Sequence, residues 1–374
     1  MKILFAIKAM DDAMGGAERV LAELCSGLVA RGHDVVLVSH DAPGGESFFP
    51  LDHRVRRVAL GIGNPLRSTT LKEALQRVAA LRRAVVGQRP DVAVGFMNSM
   101  YVLMAFALIG TGIPMVASEH IVRSHYRRRR LELSLNLISW LLVRRVTMPS
   151  DFACAGYSRR FRRKLTTLPN PVGRADTLAD PRASDRSRKT IVNVGRLVPQ
   201  KNQKTLVDAF AKIAPDWPEW HLRIIGEGPL RAELAQRIVD FGLDDRIELS
   251  GTTRDIEAAY ASAQIFVMSS LYEVFGVATA EALAHGLPAI GFADCPGTNE
   301  LIEDGVNGIL VEGDDRTGRL AEALARLIAD AELRVGYGRN GPKSVERFAP
   351  AAIVDQWEML LGGVVSGASL ESGG

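Results

Sequence analysis

The chain has 374 residues, 24% charged and 47% apolar, with a formal net charge of +3. That length suits two domains, and that composition is ordinary for a soluble globular protein. Cys25, Cys154 and Cys295 stand alone with no C-x-x-C pair, which argues against a disulfide frame or a zinc site and for a reducing cytoplasm.

The chain opens on "MKILFAI", a short apolar run that passes straight into Lys8, Asp11 and Asp12, so no secretory leader is expected. A Gly-containing loop follows, then a helical pattern from Ala17 to Ala30 and the strand "HDVVLVS". "VRRVAL", a helix over 70–87, "DVAVGF", a helix over 98–109 and "PMVASEH" continue the alternation. Strands alternating with such helices predict βαβ units on a parallel sheet. Residues 92–118 carry no charge, but "IGTGIP" divides them, so they read as strand, helix and strand rather than a membrane span. "RSHYRRRRLELSLNLISWLLVRR", residues 123–145, joins Arg127, Arg128, Arg129 and Arg130 to a large apolar helix carrying Leu131, Leu135, Ile138, Trp140, Leu141 and Leu142; "YSRRFRRK" adds more charge.

Residues 169–189, with three prolines and no periodicity, read as a linker. A second series then runs "TIVNVGRL", helix 202–214, "HLRIIGEG", helix 229–241 with Pro229 at its first position, "RIELSG", "AQIFVMSS", helix 276–285, "LPAIGF", "NGILV" and helix 315–329. A last helical pattern covers 350–361, before a tail that reads as frayed. The first 170 residues carry a balance of +12 and the rest −9, which suggests two domains meeting different partners, or drift in surface composition. Two doubly wound domains would face each other across a cleft, with ligands outside the carboxyl ends of the strands.

Candidate residues gather at those strand ends. Gly15 and Gly16 precede a helix N-terminus, where free N–H groups attract phosphate, although a plain turn reads the same way. No G-x-G-x-x-G occurs, which weakens a dehydrogenase reading. Arg196 and Lys201 follow a buried strand in "VGRLVPQKN" and suit a diphosphate. "IIGEGPL" contributes Gly226 to another strand-to-helix turn. In "SSLYEVFGVATAE", Glu273 sits in a loop and Glu281 lies inside an apolar helix, where a core tolerates neither charge. Carboxylates accept two hydrogen bonds and donate none, which suits paired sugar hydroxyls.

Taken together, "GGAERV", "NVGRLVPQKN", "GEGPLR", "SSLYEVFGVATAEALAHGLPAI" and "ELIEDGVNGILV" resemble the retaining GT-B glycosyltransferases of family four over nearly the whole chain. The resemblance implies two Rossmann-like α/β domains: residues 1–170 binding the acceptor and joined by a C-terminal helix at about 350–374, and residues 171–349 binding a nucleotide sugar. It implies that Glu273 contacts the donor sugar, Glu281 the ribose, and the Phe275, Gly276 and Val277 amides the donor. Arg196 and Lys201 would clamp the diphosphate, the Gly15–Gly16 loop would close from the other domain, and His120 in "SEH" would stand beside the reacting sugar. Where the family often has Gly after the first Glu, this chain has Val274.

The expected reaction moves a sugar, with UDP favoured over GDP as carrier, to a lipid-linked or glycan hydroxyl with retention. No D-x-D is present, so no metal or other cofactor is expected. The arginine-flanked helix suits an anionic membrane surface or a lipid-diphosphate acceptor, placing the chain in the cytoplasm and peripherally on the membrane's inner face; a core helix with solvated arginines is the plainer alternative. No nucleic-acid motif is evident. A hydrolysing sugar-nucleotide epimerase and a non-catalytic sugar-nucleotide sensor are the competing readings.

Overall fold

The structure, a computed structural model, describes residues 1–11, 15–62, 70–182 and 188–367, without the side chains of Leu71, Ser124, Arg127 and Arg128. It divides into two compact units, Met1–Pro171 with Pro350–Gly374, and Val172–Ala349.

The first unit holds a parallel sheet of β1 (Lys2–Ala6), β2 (Asp34–Ser39), β3 (Arg56–Ala59), β4 (Val92–Phe96), β5 (Met115–Ser118), β6 (Arg145–Met148) and β7 (Leu165–Thr167). Its order is β3-β2-β1-β4-β5-β6-β7. Ile3, Leu4, Phe5 and Ala6 are fully buried, the mark of a strand covered on both faces. Around the sheet lie α1 (Gly16–Ala30), α2 (Leu71–Gln88), α3 (Asn98–Ala107), α4 (Arg130–Leu142) and the short α5 (Asp151–Ala155) and α6 (Arg159–Arg162). A capping box starts α2, with the Thr70 hydroxyl on the Glu73 amide and the Glu73 carboxylate on the Thr70 amide.

Within 123–145 the arginines and the apolar helix form separate elements. Arg123–Arg128 is a 3-10 turn, α4 starts at Arg130, and Arg145 already opens β6. A run of arginines places like charges three and four apart, which repel on a helix surface. Lys164 then holds the far end of α4, donating to the carbonyls of Trp140, Leu141 and Val143 at 2.9, 3.2 and 2.8 Å.

The second unit repeats the plan with β8 (Lys189–Val194), β9 (Trp220–Ile225), β10 (Ile247–Gly251), β11 (Ile265–Met268), β12 (Ala289–Phe292) and β13 (Gly308–Val311), ordered β10-β9-β8-β11-β12-β13. Its helices are α7 (Gln203–Ile213), α8 (Arg231–Asp240), α9 (Ile256–Ser262), α10 (Val277–Ala284), α11 (Arg316–Ala329) and α12 (Ala331–Val345). Pro229 precedes α8 in a turn rather than opening it. No helix was expected at α12, whose Gly336, Gly338, Gly341 and Pro342 look like breakers. Two of those glycines are packing devices: a Cβ on Gly338 would fall 2.2 Å from the Gly286 carbonyl oxygen, and one on Gly341 2.5 Å from that of Leu283. α12 therefore lies with its backbone against α10 and the turn after it.

The last helix, α13 (Pro350–Ser366), belongs to the first unit and runs past the predicted 361. Ile353, Trp357 and Leu361 join the core of β1 and α1, with Trp357 stacked on Phe96 at 6.1 Å. Glu358 accepts from Arg31 and pairs with His33, each at 2.9 Å. Among the described residues, no helix is long and apolar enough to cross a membrane.

Candidate active site

In the second unit, β8 and β11 are neighbours in a parallel sheet, so their carboxyl ends deliver two loops to one edge. Four hydrogen bonds stitch these loops. Asn193 Nδ2 donates to the Val267 carbonyl at 2.8 Å, Ser269 Oγ to that of Lys201 at 2.8 Å, the Leu271 amide to that of Gln200 at 2.9 Å, and Gln200 Nε2 to that of Tyr272 at 2.9 Å. Lys201 closes the 3-10 turn Pro199–Lys201, and its Nζ donates to Glu273 Oε1 at 2.6 Å. Ser270 Oγ donates to the same oxygen at 2.5 Å. Glu273 is only 7% exposed. Its other oxygen, Oε2, makes no hydrogen bond with the described residues and is open to a ligand hydroxyl. Arg196 is exposed, and its guanidinium has no protein partner among the described residues.

Gly297 fixes where Glu273 sits. It adopts φ +78°, and a Cβ there would fall 2.8 Å from the Glu273 carbonyl oxygen. The Glu273 amide in turn donates to the Pro296 carbonyl at 2.9 Å. Phe275 turns its ring inward against Phe348 at 5.0 Å and so offers a ligand only its backbone. Gly276, at φ +87°, precedes α10 without a side-chain cap; its carbonyl takes the Thr279 amide at 2.9 Å, and the Val277 and Ala278 amides have no partner among the described residues. Glu281, two residues before Leu283 on that helix, accepts from the buried Tyr260 hydroxyl at 3.0 Å. Gly226, at φ +147°, lies against the Gly195 carbonyl oxygen, 2.1 Å from where its Cβ would be. The second unit thus brings Arg196, Lys201, Gly226, Glu273, Phe275, Gly276, Val277 and Glu281 onto the β8, β9 and β11 ends and α10. Sequence reasoning missed Ser270, Tyr260 and Gly297. The Pro-Gly dipeptide signals the Gly297 turn, whereas nothing local signals Tyr260.

The remaining candidates lie in the first unit. Gly15 caps α1 in an extended conformation, and Gly16 has open space where a Cβ would stand. His120 follows β5, 4.7 Å from the Phe96 ring. Thr147 Oγ1 donates to Ser118 Oγ at 3.0 Å, and Ser118 Oγ lies 2.9 Å from His120 Nε2. Burial lowers the His120 pKa to about 4, so the ring is neutral at pH 7.

Beside it, Glu119 is fully buried and is the hub that α4 hangs on. Its Oε2 accepts from Tyr101 at 2.5 Å, Tyr126 at 3.0 Å and Asn136 at 3.2 Å, while Oε1 accepts from the Ile121 amide at 3.0 Å. Trp140 Nε1 donates to the Tyr101 hydroxyl at 3.3 Å. Trp140, read from sequence as part of an apolar surface, is therefore core. The face of α4 turned inward carries Asn136, Ser139 and Trp140, whereas Leu131, Leu135, Ile138 and Leu142 are exposed, Leu131 by 77%. Arg129 and Arg130 are exposed at its head, Arg129 pairing with Glu132 at 3.4 Å. Arg127 and Arg128 lie in the 3-10 turn, and their side chains fall outside the described residues.

Residues 14–175 match the family described as Glycosyltransferase Family 4, and residues 176–344 that described as Glycosyl transferases group 1. The chain is 29% identical to an exopolysaccharide phosphotransferase of Streptomyces coelicolor over 98% of its own length and 41% of that longer protein. It is 26% identical to a GalNAc-α-(1→4)-GalNAc-α-(1→3)-diNAcBac-PP-undecaprenol α-1,4-N-acetyl-D-galactosaminyltransferase of Campylobacter jejuni, covering 96% of this chain and 98% of that one. Among solved structures, a sucrose-phosphate synthase from Thermosynechococcus elongatus superposes with a TM-score of 0.83 at 22% identity, covering 98% of this chain and 100% of that one. HepE of Anabaena, in complex with UDP and glucose, superposes at 0.79 and 20% identity over 97% and 99%. With two sheets of this topology and two family matches that run consecutively through most of its length, the chain belongs to the group 1 glycosyltransferases and has their two-domain, Rossmann-like GT-B fold.

Proposed function

We propose that this glycosyltransferase moves a hexosyl group from a UDP-sugar to a hydroxyl of a lipid-linked or glycan acceptor, with retention and without a metal. The observation that carries the reading is the Glu273 carboxylate, held by Lys201 and Ser270 through one oxygen and open at the other, at the sheet edge that also bears Arg196. As the bond from the anomeric carbon to the diphosphate breaks, negative charge gathers on the leaving oxygen. Arg196, Lys201 and the free amides at the start of α10 stabilise it, and removing one such donor costs roughly 2.7–4 kcal/mol of barrier. The acceptor oxygen bonds to the anomeric carbon on the face the diphosphate leaves, and its proton passes to the departing phosphate. Glu273 orients the sugar rather than attacking it, and Glu281, set by Tyr260, takes the ribose. UDP in the HepE complex and the undecaprenol-linked substrate in the Campylobacter relative's name favour this donor and this acceptor class. Calorimetric titration of UDP- and GDP-sugars into wild type and Glu281→Ala tests it: UDP-sugar binding lost in the variant supports the reading, and unchanged binding refutes it.

A second part of the proposal concerns α4. A helix that buries asparagine and serine while exposing a leucine stripe, with exposed arginines at Arg129, Arg130, Arg144, Arg159, Arg160 and Arg163 in the same unit, fits the interface of an anionic bilayer. Such a surface, with three cysteines that stand alone in the sequence, fits a cytoplasmic protein held peripherally on the membrane's inner face. Co-sedimentation with phosphatidylglycerol vesicles at low salt is the test: binding that Leu131→Asp/Ile138→Asp removes supports it, and no binding refutes it.

A further inference from the structure

One cluster at the carboxyl edge of the first sheet has no part in the reading above. Lys8 and His40 stand just beyond β1 and β2, joined by the His40 amide donating to the Lys8 carbonyl at 3.1 Å. His40 is 2% exposed, yet neither ring nitrogen has a hydrogen-bond partner among the described residues. Arg77 of α2 is 3% exposed and acts on both residues through its charge. The half-buried Lys8 ammonium makes no ion pair or hydrogen bond with the described residues.

Among the described residues, the nearby acids Asp11 and Asp41 are already engaged. Arg57 takes Asp11 at 2.5 Å and lies 3.8 Å from Asp41, whose Oδ2 also accepts from the Met10 amide at 2.8 Å. Burial, then the fields of Arg77 and Lys8, lower the His40 pKa to about 4 against the opposing pull of Asp41. Burial and Arg77 lower that of Lys8 as well. The result is a neutral imidazole beside an ammonium with no counter-charge among the described residues, both within the field of Arg77. A buried donor without an acceptor and an unpaired ammonium are both satisfied by one kind of ligand, an oxyanion.

We propose that Lys8 and His40, in the field of Arg77, form an anion subsite that takes a phosphate or diphosphate group of the acceptor. The ammonium of Lys8 contacts the oxyanion, and the imidazole N–H of His40 supplies a neutral donor. Calling the ligand an acceptor rests on the transfer reading, whereas the anion binding does not. The subsite recognises phosphate oxygens as such, so a free phosphate and the headgroup of a lipid carrier share its chemistry.

The test titrates inorganic pyrophosphate calorimetrically into the full chain as wild type, Lys8→Met, Lys8→Arg, His40→Gln and Arg196→Ala, with circular dichroism to verify folding. Two binding events are expected in wild type. Lys8→Met weakens one by at least tenfold, His40→Gln weakens the same one, Lys8→Arg retains it, and Arg196→Ala removes only the other. An isotherm unchanged by Lys8→Met overturns the subsite whatever Arg196→Ala does. A pyrophosphate isotherm unaffected by Arg196→Ala while one event still depends on Lys8 counts against the donor site alone and supports the subsite. Repeating the titration with farnesyl diphosphate separates the sources: tighter binding than pyrophosphate that still depends on Lys8 assigns a lipid-linked headgroup, and equal binding that depends on Lys8 assigns the phosphate group itself. Binding independent of Lys8 overturns the proposal.

Discussion

The Lys201–Glu273 pair admits two explanations, a structural salt bridge or a charge held ready for a donor, and they separate in a double-mutant cycle. The side chains are 18% and 9% exposed, and Nζ and Oε1 are 2.6 Å apart. Lys201→Met leaves the Glu273 carboxylate almost buried with the Ser270 hydroxyl as its remaining donor. Breaking a fully buried pair costs about 3–5 kcal/mol, and the residual exposure here reduces that to roughly 2–3 kcal/mol. For a unit spanning Val172–Ala349, that lowers the melting temperature by about 4–12 °C. Glu273→Gln on its own strands the less buried ammonium and costs less. The double variant removes both charges, and its stability returns to within roughly 1 kcal/mol of wild type because no uncompensated charge is left. Its turnover does not return: each charge acts on a different part of the donor, and losing the Lys201 cation alone slows transfer by about 10²–10³-fold. Thermal melts and single-turnover transfer rates for the four proteins provide the measurement. A double variant that regains both stability and rate would refute the catalytic role and leave a structural ion pair.

Three further outcomes follow from the same geometry. Gly297→Ala places a methyl 2.8 Å from the Glu273 carbonyl oxygen at φ +78°, so it loses about 1–2 kcal/mol from the backbone conformation alone and weakens donor affinity; an unchanged melt and affinity in calorimetry would refute the positioning role. Tyr260→Phe removes the hydroxyl that donates to Glu281, and about 1 kcal/mol of lost hydrogen bonding predicts a roughly fivefold weaker nucleotide with the chemical rate unchanged; a fall in rate with unchanged affinity would refute it. Burial raises the Glu119 pKa to about 7, against a hydrogen-bonding pull from Tyr101 and Tyr126 in the other direction. The folded state therefore holds a proton the unfolded chain has released between about pH 4.5 and 7, and Glu119 withdraws stability as pH rises through that window. His40 and His120, each lowered to about 4, act oppositely between pH 4 and 6.5, so the contribution is isolated by difference. Denaturant melts should show Glu119→Gln gaining on wild type from pH 4.5 to 7, and a difference independent of pH would refute the assignment.

What could be read from the sequence divides along a physical line. Strands such as Ile3–Ala6 and Ile265–Met268 announce themselves because a parallel strand covered on both faces is a continuous apolar run, and the turns between them carry their own glycines. Arg196, Lys201, Glu273 and Glu281 stood out because a charge set in an apolar run needs a reason, and the second unit does gather them at one sheet edge. What escaped depends on contacts distant in sequence. Tyr260 meets Glu281 across 21 positions, and only the fold supplies that distance. α12 was hidden because a glycine that lets two helices touch looks, in one dimension, like a glycine that ends one. α4 was legible only in part: its leucines were read as a surface beside arginines, but Trp140 was counted with them. Composition does not say which apolar residues turn inward; here the core holds a buried glutamate, Asn136 turns inward to donate to it, and Trp140 follows to donate to the Tyr101 hydroxyl that binds the same carboxylate. The leucines are left outside because Glu119 has claimed the inner face. A polar residue one strand away thus decided the orientation of a helix, and with it which surface this enzyme presents to its surroundings.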